Sequence, residues 1–410
     1  MQTFELSLDA ILARRLLTAH LQPIVSLKRQ RVFGVEALAR GLSPCTGNGK
    51  TIIPPATLFA MADESSSRLA LDRLCRETAL AAFAALHAND PGLLLHVNLD
   101  GSILNDRTVG SGHMLRSARQ HGVAPGNVVI EVIESRVDDS QALLRFAEGM
   151  REAGFLLALD DVGAGHSNLD RIPLLRPDII KMDRSLIAGI DQVYHQQVIA
   201  ASLVKMAARI GALVIAEGVE HEAEVLTLME IGVELFQGWH FARAAEAANP
   251  LPDLSRLMSD TATTFRRHQM AKITARKRLH AMYAGLSSEI AERLGARPPE
   301  EFDELLCEAL ALHPALECLY VLDESGRQSS ETVCREPAPR QGRLLYQPAR
   351  KGADHSLKDY YLPLAAGLSR YTSEPYISLA SGSLCQTIAA RFEDRDGALR
   401  ILCMDVVSQT

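Results

Sequence analysis

Polar side chains that can bind a metal ion lie within or at the end of separate apolar stretches in the first 245 residues. The clearest case is "LALDD", residues 157–161, in which an apolar stretch runs into two adjacent carboxylates. By itself, this pair is better explained by a helix N-cap with a solvated neighbour. The full set, with one or two members from each stretch, is Glu36, Asn98, Glu131, Asp160, Asp161, Lys181, Glu217 and Gln237.

The composition of this set indicates a hard divalent cation. Each acid taken singly is more simply a structural charge, but acids gathered at one place require a compensating positive charge. Carboxylate and amide oxygens, without cysteine or suitably spaced histidine, favour Mg²⁺ or Mn²⁺. The prediction of a metal site therefore depends on whether the fold brings these residues together.

The stretches that carry the set are predicted to be strands of a closed barrel. They alternate with segments of helical periodicity, which favours an α/β fold with a buried parallel sheet, and eight such units favour a (β/α)₈ barrel. The first two strands are joined by too short a link for a crossover helix, so this pair is predicted to be antiparallel. The predicted strands are 21–27, 32–40, 93–99, 128–134, 156–162, 178–183, 213–219 and 235–241.

The pattern changes after residue 252, which predicts a barrel over 1–252, a linker helix over 253–297 and a smaller α+β domain over 298–410. The linker helix is predicted to have one apolar face, formed by Met282, Leu286, Ile290 and Leu294. Its basic stretch, 266–280, is interpreted as a solvated surface rather than a nucleic-acid contact, because the protein is acidic overall.

The bulk composition is that of a globular protein with two domains. The 410 residues exceed one ordinary core, and the formal net charge of −7 gives no general attraction for DNA or an anionic membrane. Neither a signal peptide nor an apolar run of the roughly 20 residues needed to span a bilayer is evident. The seven scattered cysteines are interpreted as reduced thiols, which predicts a cytoplasmic location.

Seven short motifs in order resemble the EAL family, whose members are cyclic di-GMP phosphodiesterases with a modified (β/α)₈ barrel. The resemblance covers about residues 8–250, and seven ordered motifs make it specific where a lone "EAL" would not. The motifs are "EALAR" (36–40), "VNL" (97–99), "EVIES" (131–135), "DDVGAGHSNL" (160–169), "IIKMD" (179–183), "AEGVE" (216–220) and "FQGWHF" (236–241).

The resemblance implies a two-metal site. One ion is bound by Glu36, Asn98, Glu131 and Asp160, and a second is bridged by Asp160, completed by Asp161, with Glu217 close to both. Asp183 is a further candidate ligand. Such a pair of ions activates a water for in-line attack on phosphorus.

The resemblance also implies roles in catalysis and in substrate binding. Lys181 is expected to orient the water or to neutralise the phosphate, beside the catalytic acids Glu36 and Glu217. Glu134 belongs to a loop that orders the metal site and meets a partner subunit, which implies a homodimer. The residues expected to hold the dinucleotide are Gln22, Leu38, Arg40 and Gln237. The expected reaction is hydrolysis of cyclic di-GMP to linear pGpG.

Two questions stay open at the level of sequence. A receptor that binds cyclic di-GMP without cleaving it is the alternative to an enzyme, although the chain keeps every acid of its motifs. Residues 298–410 resemble Cache or PAS-like sensor domains, which implies an unknown small ligand. The residues to test for it are Tyr360, Tyr361, Arg370 and Tyr376, and packing of these aromatic side chains in a core is an equally good interpretation.

Overall fold

The computed structural model describes residues 7–43, 51–64, 67–105, 108–133, 139–165, 168–335 and 346–407. The chain forms two compact units, Met1–Gln269 and Met270–Thr410. The helices are α1 (Leu8–Arg14), α2 (Pro55–Glu64), α3 (Arg68–Asn89), α4 (His113–Gln120), α5 (Ser140–Glu152), α6 (Ile172–Leu175), α7 (Arg184–Ile187), α8 (Tyr194–Ile210), α9 (Glu222–Ile231), α10 (Ser255–Gly295), α11 (Phe302–Leu312) and α12 (Leu362–Ala365).

Strands β1–β10 belong to the first unit and β11–β16 to the second. They are β1 (Leu17–Ser26), β2 (Arg31–Ser43), β3 (Thr51–Ile53), β4 (Leu94–Leu99), β5 (Val128–Ile133), β6 (Leu156–Val162), β7 (Ile179–Met182), β8 (Leu213–Ala216), β9 (Leu235–Phe236), β10 (Ala245–Glu246), β11 (Leu316–Asp323), β12 (Val333–Cys334), β13 (Arg370–Thr372), β14 (Tyr376–Ile377), β15 (Leu384–Glu393) and β16 (Leu399–Val407).

Eight strands of the first unit close into a barrel. Strand β1 pairs antiparallel with β2 on one side and with β9 on the other, and the strands from β2 through β4 to β9 are parallel neighbours. This confirms the predicted modified (β/α)₈ barrel and its antiparallel first pair. Because helices cover the parallel strands, their residues are buried on both faces, as in β7, where all four residues are buried.

The second unit is a small antiparallel sheet with helices. Its strand order is β12-β11-β16-β15-β13, and β14 also pairs with β15. A core of Ile290, Leu294, Phe302, Leu306 and Leu319 joins the last part of α10 and helix α11 to this sheet. The smaller α+β domain is therefore confirmed. The division between the units falls within α10.

The prediction of the apolar face of α10 is wrong for one of its four residues. Leu286, Ile290 and Leu294 are buried, but Met282 is 47% exposed and Tyr283 is buried instead. A spacing of four residues advances about 400° around a helix, so Met282 is rotated by about 120° from Leu294. Tyr283 lies three residues before Leu286 and so faces the same core.

The interpretation of all the cysteines as free thiols is also wrong. Cys318 and Cys334 form a disulfide. The two residues are direct partners in the antiparallel pair of β11 and β12, which places their side chains side by side. This pairing could not be inferred from the residue pattern, because β12 is only two residues long.

Among the helices of the described residues, none combines the length and the apolar character that crossing a membrane requires.

Candidate metal centre and active site

The barrel strands bring most of the predicted site residues to one mouth. Strand register sets the arrangement, since Gln22 is the partner of Glu36 across β1 and β2, and Asn98 is the partner of Glu131 across β4 and β5. A cavity of about 570 Å³ is lined by residues of this set, namely Glu36, Asn98, Asp160, Asp161, Lys181 and Glu217.

Glu36 is held at both carboxylate oxygens. Asn98 Nδ2 donates a hydrogen bond of 2.8 Å to Oε1, and Gln237 Nε2 donates one of 2.6 Å to Oε2. Burial alone would raise the pKa of Glu36, but nearby Lys181 and these two hydrogen bonds outweigh it and lower the pKa. Glu36 is therefore an ionised carboxylate of fixed orientation.

Lys181 lies at the centre of the acidic residues and is 1% exposed. Its ammonium is 2.6 Å from Glu217 Oε1, 2.8 Å from Glu131 Oε1 and 3.3 Å from Asp160 Oδ1. Burial would lower the pKa of Lys181, but these carboxylates and Glu36 raise it well above the ordinary value. The side chain is a buried permanent cation.

A bulge in β6 turns the two adjacent aspartates toward the same side. The strand spans Leu156–Val162, as predicted, and its register with β7 shifts between Leu159 and Val162. Asp161 adopts a left-handed backbone with φ of 57°, a conformation that Asp tolerates better than most residues. As a result, oxygens of Asp160, Asp161 and Glu217 lie within 4.8 Å of one another.

The carboxylates around Lys181 carry more negative charge than its ammonium can offset. Burial, together with repulsion from neighbouring carboxylates, raises the pKa of Asp160, Asp161 and Glu131, and it raises the pKa of Glu217 to about 8. Lys181 opposes these shifts but supplies a single charge. Oxygen donors with uncompensated charge fit a hard divalent cation, so the residues present suit the predicted metal.

His96 belongs to this site and was missed by the sequence analysis. The side chain is fully buried, and its Nδ1 lies 2.8 Å from Glu131 Oε1. Burial and the charge of Lys181 lower the pKa of His96 to about 3, which keeps the ring neutral. The signal was available, because His96 lies two residues before Asn98 in a strand and so faces the same side.

Three of the four residues predicted to bind substrate line a second cavity, of about 330 Å³. These are Gln22, Leu38 and Gln237, and the cavity also includes Trp239, the one tryptophan of the sequence. Arg40 is half-buried, donates to the Ala39 carbonyl and lies outside the described lining of both cavities.

Of two further predicted residues, Asp183 is not a member of the oxygen cluster of Asp160, Asp161 and Glu217, and Glu134 cannot be placed. Asp183 accepts a hydrogen bond from the Ser185 amide at the start of α7, although its charge contributes to the raised pKa of Asp161. Glu134 lies outside the described residues.

The four residues of the second unit that were predicted to bind a small ligand do not all lie together: the three tyrosines are separate from Arg370. Tyr360 and Tyr361 are buried, and their hydroxyls are hydrogen-bonded to His355 and to the Glu324 carbonyl. The Tyr376 hydroxyl is bonded to Thr387. Arg370 lines a cavity of about 240 Å³ between α10 and the sheet, where it donates to Ser288. These bonds favour a packing role for the tyrosines.

Comparison with known families shows which family the barrel belongs to. Residues 6–244 match the EAL domain. The chain belongs to the EAL family. This confirms the resemblance drawn from the seven motifs, and it covers the first unit up to the end of β9 and the turn that follows.

Relatives of the EAL chain include proteins with a named activity. Over 241 residues the chain is 31% identical to the cyclic di-GMP phosphodiesterase NbdA of Pseudomonas aeruginosa, covering 58% of this chain and 29% of NbdA. It is 25% identical over 391 residues to the EAL-domain protein YkuI of Bacillus subtilis, covering 91% of each. The chain thus spans less than a third of NbdA but nearly all of YkuI.

Solved structures show the same fold. The crystal structure of YkuI with cyclic di-GMP and calcium superimposes with a TM-score of 0.81 at 23% identity, covering 99% of this chain and all of YkuI. The barrel also matches Klebsiella pneumoniae BlrP1 in complex with manganese and cyclic di-GMP, with a TM-score of 0.51, 32% identity and 57% of each chain covered.

Proposed function

We propose that this EAL protein hydrolyses cyclic di-GMP to linear pGpG with Mg²⁺ or Mn²⁺ as cofactor. The observation that carries the proposal is the cluster of five buried or half-buried carboxylates around a single lysine at the barrel mouth, namely Glu36, Glu131, Asp160, Asp161 and Glu217. Names of relatives that carry the activity support the same substrate.

The metal ligands we propose are Glu36, Asn98, Glu131, Asp160, Asp161 and Glu217, with Asp183 as a further contributor. Divalent ions bound there supply positive charge that activates water and stabilises the departing oxygen. The chain supports this role by fixing Glu36 through Asn98 and Gln237, and by aligning Asp160, Asp161 and Glu217.

In the proposed reaction the oxygen of water bonds to phosphorus and the bond from phosphorus to O3′ breaks, while the proton of the water goes to the departing O3′. Lys181 is placed to hold the phosphate or the water, because its ammonium lies among the acids of the mouth. Glu36 and Leu38, together with Glu217, line both cavities, which suits a ligand with two bases that extends to either side of the reacting phosphate. Gln22, Arg40 and Gln237 complete the substrate contacts we propose.

The alternative function is a receptor that binds cyclic di-GMP without cleaving it. The complete acidic set favours catalysis, since every acid of the motifs is present. Chromatography of nucleotides after incubation of the full chain with cyclic di-GMP and Mn²⁺ separates the two. Formation of pGpG supports the enzyme, whereas tight binding without product supports the receptor.

Glu36→Gln is the decisive variant for this assay, and Glu36→Ala is the more severe form. Both are expected to abolish product, because the carboxylate is a proposed ligand. Glu234→Gln is the matched control, since Glu234 pairs with Lys28 on the surface, away from the mouth. Equal product from Glu36→Gln and the parent chain would contradict the proposal.

We also propose that the second unit regulates the barrel of a homodimeric, cytoplasmic protein in response to a small ligand. In this proposal the barrel domain spans 1–252, the linker helix 253–297 and the regulatory domain 298–410. Deletion should begin after Gln269, where the first unit ends, because Leu286, Ile290 and Leu294 would otherwise lose their core. Unchanged rate and unchanged oligomeric state after deletion would contradict regulation.

A further inference from the structure

We infer that His96 is a positioning residue that fixes the Glu131 carboxylate, so that Oε1 is engaged within the protein and Oε2 is kept for a metal ion. This inference rests on the proposed function, because it concerns the same metal site. None of the seven motifs contains His96, which lies between the strands that carry Glu36 and Glu131.

Strand geometry places the histidine between two proposed ligands. His96 is the register partner of Glu36 across β2 and β4, and its neighbour at the second position, Asn98, is the partner of Glu131 across β4 and β5. Partners in adjacent parallel strands point to the same face, so the imidazole lies inside the barrel with both carboxylates. Its Nδ1 is 2.8 Å from Glu131 Oε1.

The polar contacts of Glu131 are unevenly shared between its two oxygens. Oε1 is approached by both His96 Nδ1 and Lys181 Nζ, each at 2.8 Å. Oε2 is buried and has no hydrogen-bond partner among the residues that the structure describes. A buried carboxylate oxygen is normally satisfied, so an oxygen without a donor, next to one with two, indicates a place for a cation.

His96 is the donor dedicated to Glu131. Lys181 also contacts Glu217 and Asp160, so its contact with Glu131 competes with others. The second nitrogen of His96, Nε2, is buried without a hydrogen-bond partner in the described part of the chain, so its one hydrogen bond there goes to Glu131. Because Oε1 is an acceptor, the proton belongs on Nδ1, which makes the ring a neutral donor.

The test compares three variants of the full chain. His96→Asn places an amide nitrogen at the same number of bonds from the backbone as Nδ1 and so keeps the donor. His96→Gln moves that nitrogen one bond farther, and His96→Leu removes the donor at similar size. His113→Leu is the matched control, because His113 also bonds a glutamate, Glu77, away from the Lys181 cluster.

Mn²⁺ affinity of the substrate-free protein is the readout, measured from the free-ion signal in electron paramagnetic resonance. We expect His96→Leu and His96→Gln to bind Mn²⁺ about 10–100-fold more weakly than the parent chain, as loss of an outer-shell partner does elsewhere. His96→Asn should stay close to the parent, and His113→Leu should be unchanged. If His96→Leu does not fold, the comparison of His96→Asn with His96→Gln decides.

Parent-like Mn²⁺ affinity in folded His96→Leu or His96→Gln would overturn the inference, and so would equal weakening in the His113→Leu control. A purely structural histidine would lower thermal stability in these variants without changing the affinity. Failure of the proposed function looks different, because the parent chain itself would then neither bind Mn²⁺ nor form pGpG.

Discussion

Lys181 Nζ lies 2.6 Å from Glu217 Oε1 in a barrel mouth where the lysine is almost fully buried. Glu131 and Asp160 share the same ammonium at 2.8 and 3.3 Å. In the protein without metal, this one cation offsets the repulsion among the acids. The stability of the barrel is therefore expected to depend on Lys181.

Lys181→Met should lower the free energy of unfolding of the barrel by about 3–5 kcal/mol in the presence of a chelator, because the carboxylates lose their buried partner. Urea unfolding followed by Trp239 fluorescence measures this, since Trp239 is the one tryptophan and lies in the first unit. The control is Lys28→Met, whose exposed pair with Glu234 should contribute less than about 1 kcal/mol. Equal losses in the two variants would contradict the central position of Lys181.

Asp161→Asn should separate stability from activity. Asn tolerates the left-handed backbone of this position, and the substitution removes repulsion from Asp160 and Asp183. We expect the free energy of unfolding without metal to stay equal or to rise by about 1 kcal/mol, while hydrolysis falls by more than the roughly 10–100-fold that loss of an outer-shell partner causes. Chemical denaturation and product chromatography are the measurements. A variant that is less stable yet fully active would speak against a ligand role.

Trp239 should report on nucleotide binding. The indole is 57% exposed, lines the cavity with Gln22 and Gln237, and lies 3.9 Å from the Arg243 guanidinium. Addition of cyclic di-GMP without metal is expected to quench its fluorescence. Trp239→Ala should weaken binding by about 1–3 kcal/mol, the usual contribution of stacking by one base.

A titration of the parent chain by fluorescence, repeated for Trp239→Ala by calorimetry, gives both results. An unchanged spectrum at saturating nucleotide, together with unchanged affinity of the variant, would place the base elsewhere.

The second unit should become less stable as the pH rises through the range from about 4 to 7. Asp405 is buried and accepts a hydrogen bond of 2.7 Å from Thr387, and burial raises its pKa from 3.8 to about 7. The folded unit therefore keeps the proton in a range where the unfolded chain releases it. Stability falls between these two pKa values, by at most about 1.4 kcal/mol per pH unit, and levels off above pH 7.

Asp405→Asn should remove this contribution to the pH dependence of stability and leave only the contributions of the other groups in the unit. Urea unfolding at pH 5 and pH 8, followed by tyrosine circular dichroism, is a suitable measurement, because seven of the eight tyrosines lie after Gln269. Asp396→Asn serves as the exposed control. The same difference between pH 5 and pH 8 in Asp405→Asn and the parent chain would refute the assignment.

Much of the barrel could be predicted from the sequence, because strands buried on both faces are continuous apolar runs. The run at 128–134, for example, forms the strand Val128–Ile133. The last barrel strand was predicted too long, over 235–241, since its apolar residues continue past Phe236. The strand ends there because Gly238 packs against Val219, where a Cβ would lie 2.1 Å from the carbonyl oxygen. Such a close approach cannot be inferred from residue types.

The acids of the site were predictable because each lies within or at the end of a barrel strand, and the carboxyl ends of the parallel strands meet at one mouth. The contacts that these acids make with other side chains were not predictable. The place of Lys181 among several carboxylates, and the pairing of His96 with Glu131, depend on strand register. The turn at Asp161 likewise arises from a bulge that the sequence does not reveal.

The most direct test of the central claim is a crystal of the full chain soaked with Mn²⁺ and measured at the manganese absorption edge. We predict anomalous peaks within bonding distance of oxygens from Asp160, Asp161 and Glu217, and of Glu36, Asn98 and Glu131. A mouth without such a peak at saturating Mn²⁺, with pGpG formation unaffected by a chelator, would contradict the account.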